Sequence, residues 1–452
     1  MFLQAVARGV PSQQSLPLSH RFTTPPSLGA RNLRFSKSLT SVITGFRVWS
    51  NQSETLLKNE TLSLVKVWVG GAARGAGATD GGPRVRLHHQ ARVPSQPSSL
   101  SPPSPSQDVK PDFIFGDLAF VGTFLLAKKI DVPFGLLSCA PLAEPVASLF
   151  SNVPTAVLSV PAFGSGLTTP MRTYQVVLNV AVSLMNALVF LFIDATLHRP
   201  LFASHQLHRP HLGSDALVIV NADPLMEWPR RPLPPWVKLV GPLTPRPVPR
   251  SSVTSNPPLV ALVARPFIYA SMGTLSALSR TEMLALRATF NKLSPSVRVV
   301  WKVSESDLPP DLDLPELASG LAASVTIIES APQNALLASP NCVGFLTHGG
   351  NNGLYEAAFH GVPAAVLAMI ADQDDNASKY VSGGMAVRVR NVSHDAILTA
   401  LQELLHKPSY RQRAEEVARI LKNRPSPLLQ ALDWIEFAIS TGGVPYAKPK
   451  AP

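Results

Sequence analysis

Residues 330–376 carry glycines and polar side chains in a spacing suited to binding a phosphorylated ligand. A short apolar strand over 343–347 is followed by His348 and two glycines, and then by a helix predicted to begin near Asn351. Glycines at 349, 350 and 353 would let the backbone turn sharply, so that free amides at the helix start face a phosphate. His348 would add a hydrogen-bond donor or a positive charge to a diphosphate.

A second group of polar side chains would bind sugar hydroxyls. Glu356, predicted on the first turn of the helix, would accept hydrogen bonds from a ribose diol. Asp372 and Gln373 follow a second apolar strand over 364–367 and offer acceptors and a donor to a sugar. Because open parallel sheets bind ligands just beyond the carboxyl ends of their strands, this strand–helix–strand unit predicts a nucleotide-sugar site.

These blocks resemble the donor-binding signature of the UDP-glycosyltransferase family, in its animal-type form. Pro332-Gln333, the run THGGNNGLYEAAFHGVP over 347–363 and ADQDDN over 371–376 match it in type, order and spacing. In place of the family's Trp, which stacks on uracil, this chain has Ser330. The resemblance implies the following donor-binding residues: Ser271, Gly273, Thr274, Gln333, His348, Gly350, Asn352, Gly353, Glu356, Asp372 and Gln373.

The resemblance covers about residues 110–440 and implies the α/β fold called GT-B, in which two Rossmann-like domains face a cleft, here with the first domain incomplete. The predicted parts are a basic and Pro/Ser-rich disordered tail (1–109), a partial acceptor-binding domain (110–244), a linker (245–258), a UDP-sugar-binding domain (259–425) and a final helix returning to the first domain (426–440). Strands alternate with helices along both domains, which is typical of a doubly wound sheet. Ser279 and Glu282 form a predicted capping box at the start of one helix.

The resemblance also implies the reaction, an inverting displacement at the anomeric carbon of a UDP-sugar by an acceptor hydroxyl. His348 and the helix amides would stabilise the departing UDP electrostatically, so no metal or other cofactor is required. The family's base is a histidine near the start of the first domain, oriented by an aspartate that Asp117 matches. Asp117 could instead cap the helix that follows it.

The base itself is not identified. Upstream of Lys110 the sequence has His20, His88 and His89, and none of them stands in a Gly-His turn after a predicted strand. Two function classes therefore stay open. One is transfer of glucose or glucuronate to a hydroxyl of a small lipophilic acceptor. The other is a noncatalytic protein that binds a UDP-sugar or serves as a partner subunit.

Charge distribution argues against nucleic-acid binding. Residues 1–110 hold 13 Lys/Arg and 4 Asp/Glu, so most of the net charge of +11 lies in the predicted tail. The remaining chain has no basic stripe with interleaved aromatic residues. Cys139 and Cys342 are too few for a disulfide framework or a zinc site and are predicted to be buried thiols.

An uncharged stretch over 176–193, within a predicted helix over 171–194, allows contact with a membrane. It is barely long enough to span a bilayer, since a span needs about 20 residues. The family resemblance implies a buried or membrane-facing helix here. Arg8 and Pro11 interrupt the apolar N-terminus, so the sequence predicts no secretory signal. It predicts no C-terminal anchor either, so the localisation stays open, with membrane association as one alternative. Histidines at 198, 205, 208 and 211 are predicted on a surface loop and not in a metal site.

Overall fold

The computed structural model describes residues 113–118, 121–139, 153, 155–207, 216–227, 231–243, 260, 262–273, 278–293, 297–370 and 372–444. The predicted tail and linker lie outside these residues, as do Thr274 and the three upstream histidines. The domain boundaries drawn from the sequence therefore stay predictions.

The first sheet, as far as it is described, has four parallel strands in the order β1-β2-β3-β4. They are β1 (Ile114–Asp117), β2 (Phe134–Ser138), β3 (Ala216–Val220) and β4 (Val237–Leu239). All five residues of β3 are buried, as expected for an apolar run in a parallel sheet covered on both faces. Helix α1 (Val121–Lys129) connects β1 to β2, and α2 (Thr173–Ile193) and α3 (Arg199–Ser204) lie between β2 and β3.

The second sheet has six parallel strands in the order β10-β9-β8-β5-β6-β7. They are β5 (Phe267–Ser271), β6 (Arg298–Lys302), β7 (Val325–Ile328), β8 (Cys342–Thr347), β9 (Ala364–Val366) and β10 (Ala386–Arg388). The chain moves outward from β5 through β7, then returns to place β8 on the other side of β5. The order reverses between β5 and β8, so a crevice opens beyond their carboxyl ends, where doubly wound sheets bind ligands.

Helices cover both faces of the second sheet. They are α4 (Arg280–Lys292), α5 (Leu314–Ala318), α6 (Gln333–Leu337), α7 (Asn351–His360), α8 (Gln373–Ser382), α9 (His394–His406) and α10 (Pro408–Lys422). The predicted capping box is confirmed, because the Ser279 amide donates to Glu282 Oε2 at 2.8 Å and the Glu282 amide donates to Ser279 Oγ at 3.4 Å. The predicted α/β class is confirmed as well.

The last helix, α11 (Pro427–Ser440), packs against the first sheet although it follows the second domain in sequence. Ala431 and Ala438 are buried in the same core as the strands of the first sheet. The Lys238 ammonium of β4 lies 3.6 Å from the centre of the Trp434 ring, a cation–π contact that fixes the helix on this domain. Burial lowers the pKa of Lys238.

Helix α2 is inverted relative to an ordinary surface helix, with polar residues inward and apolar residues outward. Its buried residues are Asn179, Ser183 and Ile193. Its exposed large side chains recur every three or four residues; they are Tyr174, Val177, Leu178, Leu184, Leu188, Leu191 and Phe192. With the following turns, Thr173–Ser204 is the one run in the described part of the chain that is long and apolar enough to cross a bilayer.

The surface-loop prediction is wrong for His198. This residue ends a π-helical turn, Asp194–His198, that continues α2, and it is buried beside Asp194, with Nδ1 3.5 Å from a carboxylate oxygen. His205 follows α3 directly, while residues 208 and 211 lie outside the described residues. The apolar pattern of α2 runs on past Ile193, and this continuation is why the helical turns extend beyond the predicted end.

Candidate active site

Two turns lie side by side at the reversal point of the second sheet. Ser271 at the end of β5 pairs with Thr347 at the end of β8, so residues 271–273 and 348–350 leave the sheet next to each other. The first turn holds Ser271 and Gly273, which the family resemblance implies as donor-binding residues, and the second is the His-Gly-Gly turn. These two predicted donor-binding segments therefore meet, as the parallel topology requires.

The His348 imidazole lies between two glycines. A Cβ on Gly273 would stand 2.6 Å from His348 Cε1, and a Cβ on Gly350 would stand 2.5 Å from His348 Nε2. Gly350 has φ of −61°, which any residue adopts, so its glycine is required by the imidazole and not by a sharp turn as the sequence suggested. Gly349 does have a left-handed φ of +90°, and it is the residue that turns the chain.

Burial lowers the pKa of His348 below its usual value, and a hydrogen bond with the Ser271 backbone acts in the opposite direction. The unliganded imidazole is therefore neutral near pH 7, and the positive charge that the sequence suggested would require an anion beside it. Ser271 is itself buried, and its Oγ accepts the Gly273 amide at 3.5 Å. Ser271 thus supports the turn and the imidazole.

Helix α7 begins at Asn351, so the first backbone amides of the helix have no partner within it. Its first two side chains reach the first domain. Asn351 Nδ2 donates to the Cys139 carbonyl at 2.9 Å, and Asn352 Oδ1 accepts from Asn221 Nδ2 at 3.1 Å. Asn352, expected among the donor-binding residues, thus also ties the helix start to the end of β3.

Gln333 and Glu356, both expected at the donor site, form a pair. Gln333 Nε2 donates to Glu356 Oε2 at 2.6 Å. Burial raises the pKa of Glu356, and the Gln333 hydrogen bond opposes that rise. Glu356 is the sixth residue of α7 and lies on its second turn, which corrects the first-turn prediction. Gly353 also lies inside α7, where a Cβ would meet Gln333 Nε2 at 3.4 Å.

Asp372 and Gln373 stand where α8 begins and are held by residues that the sequence analysis missed. Asn376 Nδ2 donates to Asp372 Oδ2 and to the Gly349 carbonyl, both at 3.0 Å. Gln373 Oε1 accepts the amides of Met369 and Ile370 at 2.8 and 3.0 Å. The side-chain carbonyl of Gln373 is thus hydrogen-bonded to the preceding loop. Burial raises the pKa of Asp372, while the Asn376 bond opposes it.

Asn376 could have been found from its position four residues after Asp372 if a helix had been predicted there, because residues four apart share a helix face. The interdomain contacts of Asn221 had no such signal, since they join segments more than a hundred residues apart.

Asp117 lies at the carboxyl edge of the first sheet. Asp117 is the last residue of β1 and lies four residues before the start of α1, outside that helix's N-cap position. Cys139 follows β2 on the neighbouring strand. Burial raises the pKa of the Cys139 thiol to about 11, and the carboxylates of Asp117 and Asp372 add to the rise. The Cys139 thiol therefore lies within the electrostatic influence of one carboxylate from each domain, and the Cys139 carbonyl contacts Asn351 at the start of α7.

Both cysteines were predicted to be buried thiols, and the structure confirms this for Cys342 only. Cys342 is buried, and Cys139 is half-buried at the cleft. Within the described ranges, no three His, Cys, Asp or Glu side chains come close enough together to hold a metal ion.

Several known proteins resemble this chain in sequence. UDP-glucuronosyltransferase 2C1 of Oryctolagus cuniculus is 27% identical over 341 residues, which are 74% of this chain and 65% of that protein. UDP-glucuronosyltransferase 2A2 of Mus musculus is 37% identical over 134 residues, 29% of this chain and 25% of that protein. The chain thus spans less than two thirds of the length of these relatives.

Two solved structures share the fold. The glycotransferase of kitacinnamycin is 20% identical with a TM-score of 0.52, and a UDP-glucosyltransferase from Polygonum tinctorium is 19% identical with the same score. Each likeness covers 73% of this chain and 76% of the other. These neighbours are GT-B glycosyltransferases, which confirms the fold prediction. The family profile described as UDP-glucoronosyl and UDP-glucosyl transferase matches residues 105–452, and the chain therefore belongs to that family.

Proposed function

We propose that this chain transfers a hexosyl group, glucose or glucuronate, from a UDP-sugar to a hydroxyl of a small lipophilic acceptor, with inversion at the anomeric carbon. The observation that carries the proposal is the meeting of His348, the open amides of α7 and the Asp372–Gln373 turn at one crevice, with Cys139 of the first domain in contact with the start of α7.

The roles follow from the chemistry of the groups. The diphosphate lies against the α7 amides and His348, which stabilise the charge on departing UDP without a metal. Glu356, held by Gln333, accepts from the ribose hydroxyls. Asp372 accepts hydrogen bonds from the hexose hydroxyls, and the Gln373 side-chain amide nitrogen donates to the hexose. The acceptor oxygen attacks the anomeric carbon, the bond from that carbon to the phosphate oxygen breaks, and the acceptor proton passes to a base.

Asp117 is assigned to orient that base. A carboxylate that fixes the tautomer of a histidine contributes orders of magnitude in rate in the serine-protease triad. The base is not identified among the described residues, and the search begins at His20, His88 and His89.

Turnover is the test. UDP release and glycoside formation are followed with UDP-glucose and UDP-glucuronate and a panel of phenols, and NMR of the product gives the anomeric configuration. Asp372→Asn should lower kcat/KM by roughly ten- to 150-fold, the cost of one hydrogen bond to a charged group. Asp433→Asn, at an exposed carboxylate on α11, is the matched control and should change nothing. A retained configuration or an unaffected Asp372→Asn would contradict the proposal.

A second candidate is a noncatalytic UDP-sugar-binding protein or partner subunit. The observation that favours it is the start of the family match at residue 105, downstream of the histidines in the tail. Turnover of the wild type separates the two candidates, and Asp117→Asn then tests the role of this carboxylate. In a working transferase it should lower turnover by orders of magnitude with UDP affinity unchanged, whereas a noncatalytic protein should bind UDP and show no turnover in either form.

We also propose that α2 contacts a membrane surface. Val177 and Leu188 are each 68% exposed, while Asn179 on the opposite face is fully buried. One face of the helix is fixed to the protein, so the helix would lie along the bilayer surface with its apolar face in the headgroup boundary.

Vesicle flotation tests this placement. Replacing Leu184, Leu188 and Leu191 by Gln should release the protein from phosphatidylcholine vesicles. The same change at Leu428 and Leu429, which are 61% and 57% exposed on α11, should not. Equal flotation of both variants would contradict the placement.

A further inference from the structure

Asp375 is a buried carboxyl that the proposed chemistry does not use. It lies on the first turn of α8, three residues after Asp372, and is only 5% exposed. Both of its oxygens accept the backbone N–H of Gly164, at 3.0 Å each, across 211 residues of sequence. Burying a carboxyl costs free energy unless the group is hydrogen-bonded. The Gly164 hydrogen bond therefore stabilises Asp375 in this position and joins the two domains.

Gly164 belongs to an irregular segment of the first domain, residues 155–169, which we call the strap. The strap is shaped by Asn179 of α2, whose amide has every hydrogen-bonding group in use. Asn179 Nδ2 donates to the Val157 and Val160 carbonyls at 2.8 Å each, and its Oδ1 accepts the Ala162 amide at 2.6 Å. Asn186 Nδ2 donates to the Phe163 carbonyl at 2.8 Å. The polar inward face of α2 thus holds the strap up to the residue before Gly164.

The strap contacts α8 and its surroundings at two further points. The Thr169 amide donates to Ser382 Oγ at 3.3 Å, at the other end of α8. Gly166 lies against the Arg388 guanidinium, which pairs with Asp374 at 3.1 Å. The strap therefore runs along α8 from its first turn to its last residue.

The first turn of α8 is held from both sides. From the second domain, Asn376 bonds Asp372 and the Gly349 carbonyl. From the first domain, the Gly164 amide holds Asp375, one helical turn away on the same element. We propose that Asp375 and the strap are positioning elements that set Asp372 and Gln373 for the donor sugar, an inference that rests on the proposed function.

The protonation of Asp375 agrees with this role. Burial raises its pKa to about 8; the Gly164 bond opposes the rise, and the nearby Asp372 adds to it. The group is therefore mainly a neutral acid near pH 7. Asparagine has the same shape and keeps an oxygen to accept the Gly164 amide, so it should substitute for the acid, whereas alanine should not.

Titration calorimetry with UDP and with the UDP-sugar tests the proposal, because only the UDP-sugar contacts the turn in question. The quantity compared is the ratio of the Kd for UDP-glucose, or for UDP-glucuronate if wild type prefers it, to the Kd for UDP. Asp375→Ala should raise this ratio about tenfold, the loss expected when one hydrogen bond to the sugar is misplaced. Asp375→Asn should restore it to within about twofold of wild type.

Gly164→Ala perturbs the strap without touching the second domain. Gly164 has φ of +71° with no atom near a Cβ, so alanine there strains the backbone and clashes with nothing. Gly320→Ala is the matched control, because Gly320 has φ of +76°, is equally open, and lies between α5 and β7. The ratio should rise for Gly164→Ala and not for Gly320→Ala, with equal changes in thermal melting.

An unchanged ratio in both Asp375→Ala and Gly164→Ala, with normal UDP binding, would overturn the strap's role and leave the proposed function standing. A wild-type protein that binds no UDP would overturn both. A rise of equal size in Gly320→Ala would show general loosening and would overturn the strap's role alone.

Discussion

Protonation of His348 on donor binding gives the sharpest test of the site. The imidazole is buried between Gly273 and Gly350, and burial lowers its pKa in the free protein. A bound diphosphate places negative charge beside it, and an opposite charge within about 4–6 Å raises a pKa by about 1–3 units. The complex should therefore hold more protons than the free protein, and binding near neutral pH should take up a fraction of a proton.

The sign and size of the pH effect follow from linkage. Because the pKa of His348 is higher in the complex, affinity should be greatest below the pKa of the free protein. It should weaken as pH rises through the interval between the two pKa values and level off above the pKa of the complex. A rise of one to three units corresponds to about 1.4–4 kcal/mol, or roughly ten- to a thousandfold in Kd across the interval.

The assay is calorimetry of a UDP-sugar between pH 5.5 and 8, in buffers of different ionisation enthalpy. A UDP-sugar is preferred to UDP because its diphosphate is esterified at both ends and carries a constant charge over this range. The slope of observed enthalpy against buffer ionisation enthalpy gives the protons taken up, and His348→Asn should abolish both the slope and the pH dependence. A flat wild-type profile, or equal proton uptake by the variant, would refute the placement of the diphosphate beside His348.

Two further predictions concern the same pocket. Ser330 is exposed just after β7, so a Trp at this position can stack on uracil. Ser330→Trp should tighten UDP binding by about 1–3 kcal/mol through this stacking and should leave pyrophosphate binding unaffected. An equal gain in affinity for both ligands in calorimetry would place uracil elsewhere. Gly350→Ala should weaken UDP-sugar binding at least about tenfold, because the new Cβ displaces the His348 imidazole. Gly353→Ala, whose Cβ makes only ordinary contacts, should leave affinity within about twofold and raise thermal stability through better helix propensity; a loss as large as that of Gly350→Ala would contradict this reading of the glycines.

The sequence predicted those parts of the site that depend on local pattern. Apolar strands followed by glycine and polar residues placed His348 and Asp372 at strand ends, because parallel strands bring their carboxyl ends to one edge. It could not give the reason for Gly350, since a glycine required by a neighbouring imidazole looks the same in sequence as a glycine required by a turn. Nor could it find Asp375, whose partner Gly164 lies 211 residues away and offers only a backbone amide.

Helix α2 shows the same limit from the other side. Its uncharged composition was visible, but composition alone does not tell a buried helix from one that faces a membrane. The distinction lies in Asn179 and Asn186, which face inward because their amides satisfy backbone groups of the strap. An apolar helix whose few polar residues point toward the protein leaves its apolar residues to the outside, and that orientation depends on contacts that a single helix does not encode.

The proposed donor-binding groups share one feature, which is that each is held by a neighbouring group. Glu356 is held by Gln333, Asp372 by Asn376, and Gln373 by two backbone amides, so each is fixed by a partner before any ligand arrives. Binding then costs little side-chain ordering, and more of the contact energy appears as affinity. Without these partners, the groups would lose their fixed positions. Loss of a supporting residue should therefore lower donor affinity nearly as much as loss of the group that touches the ligand.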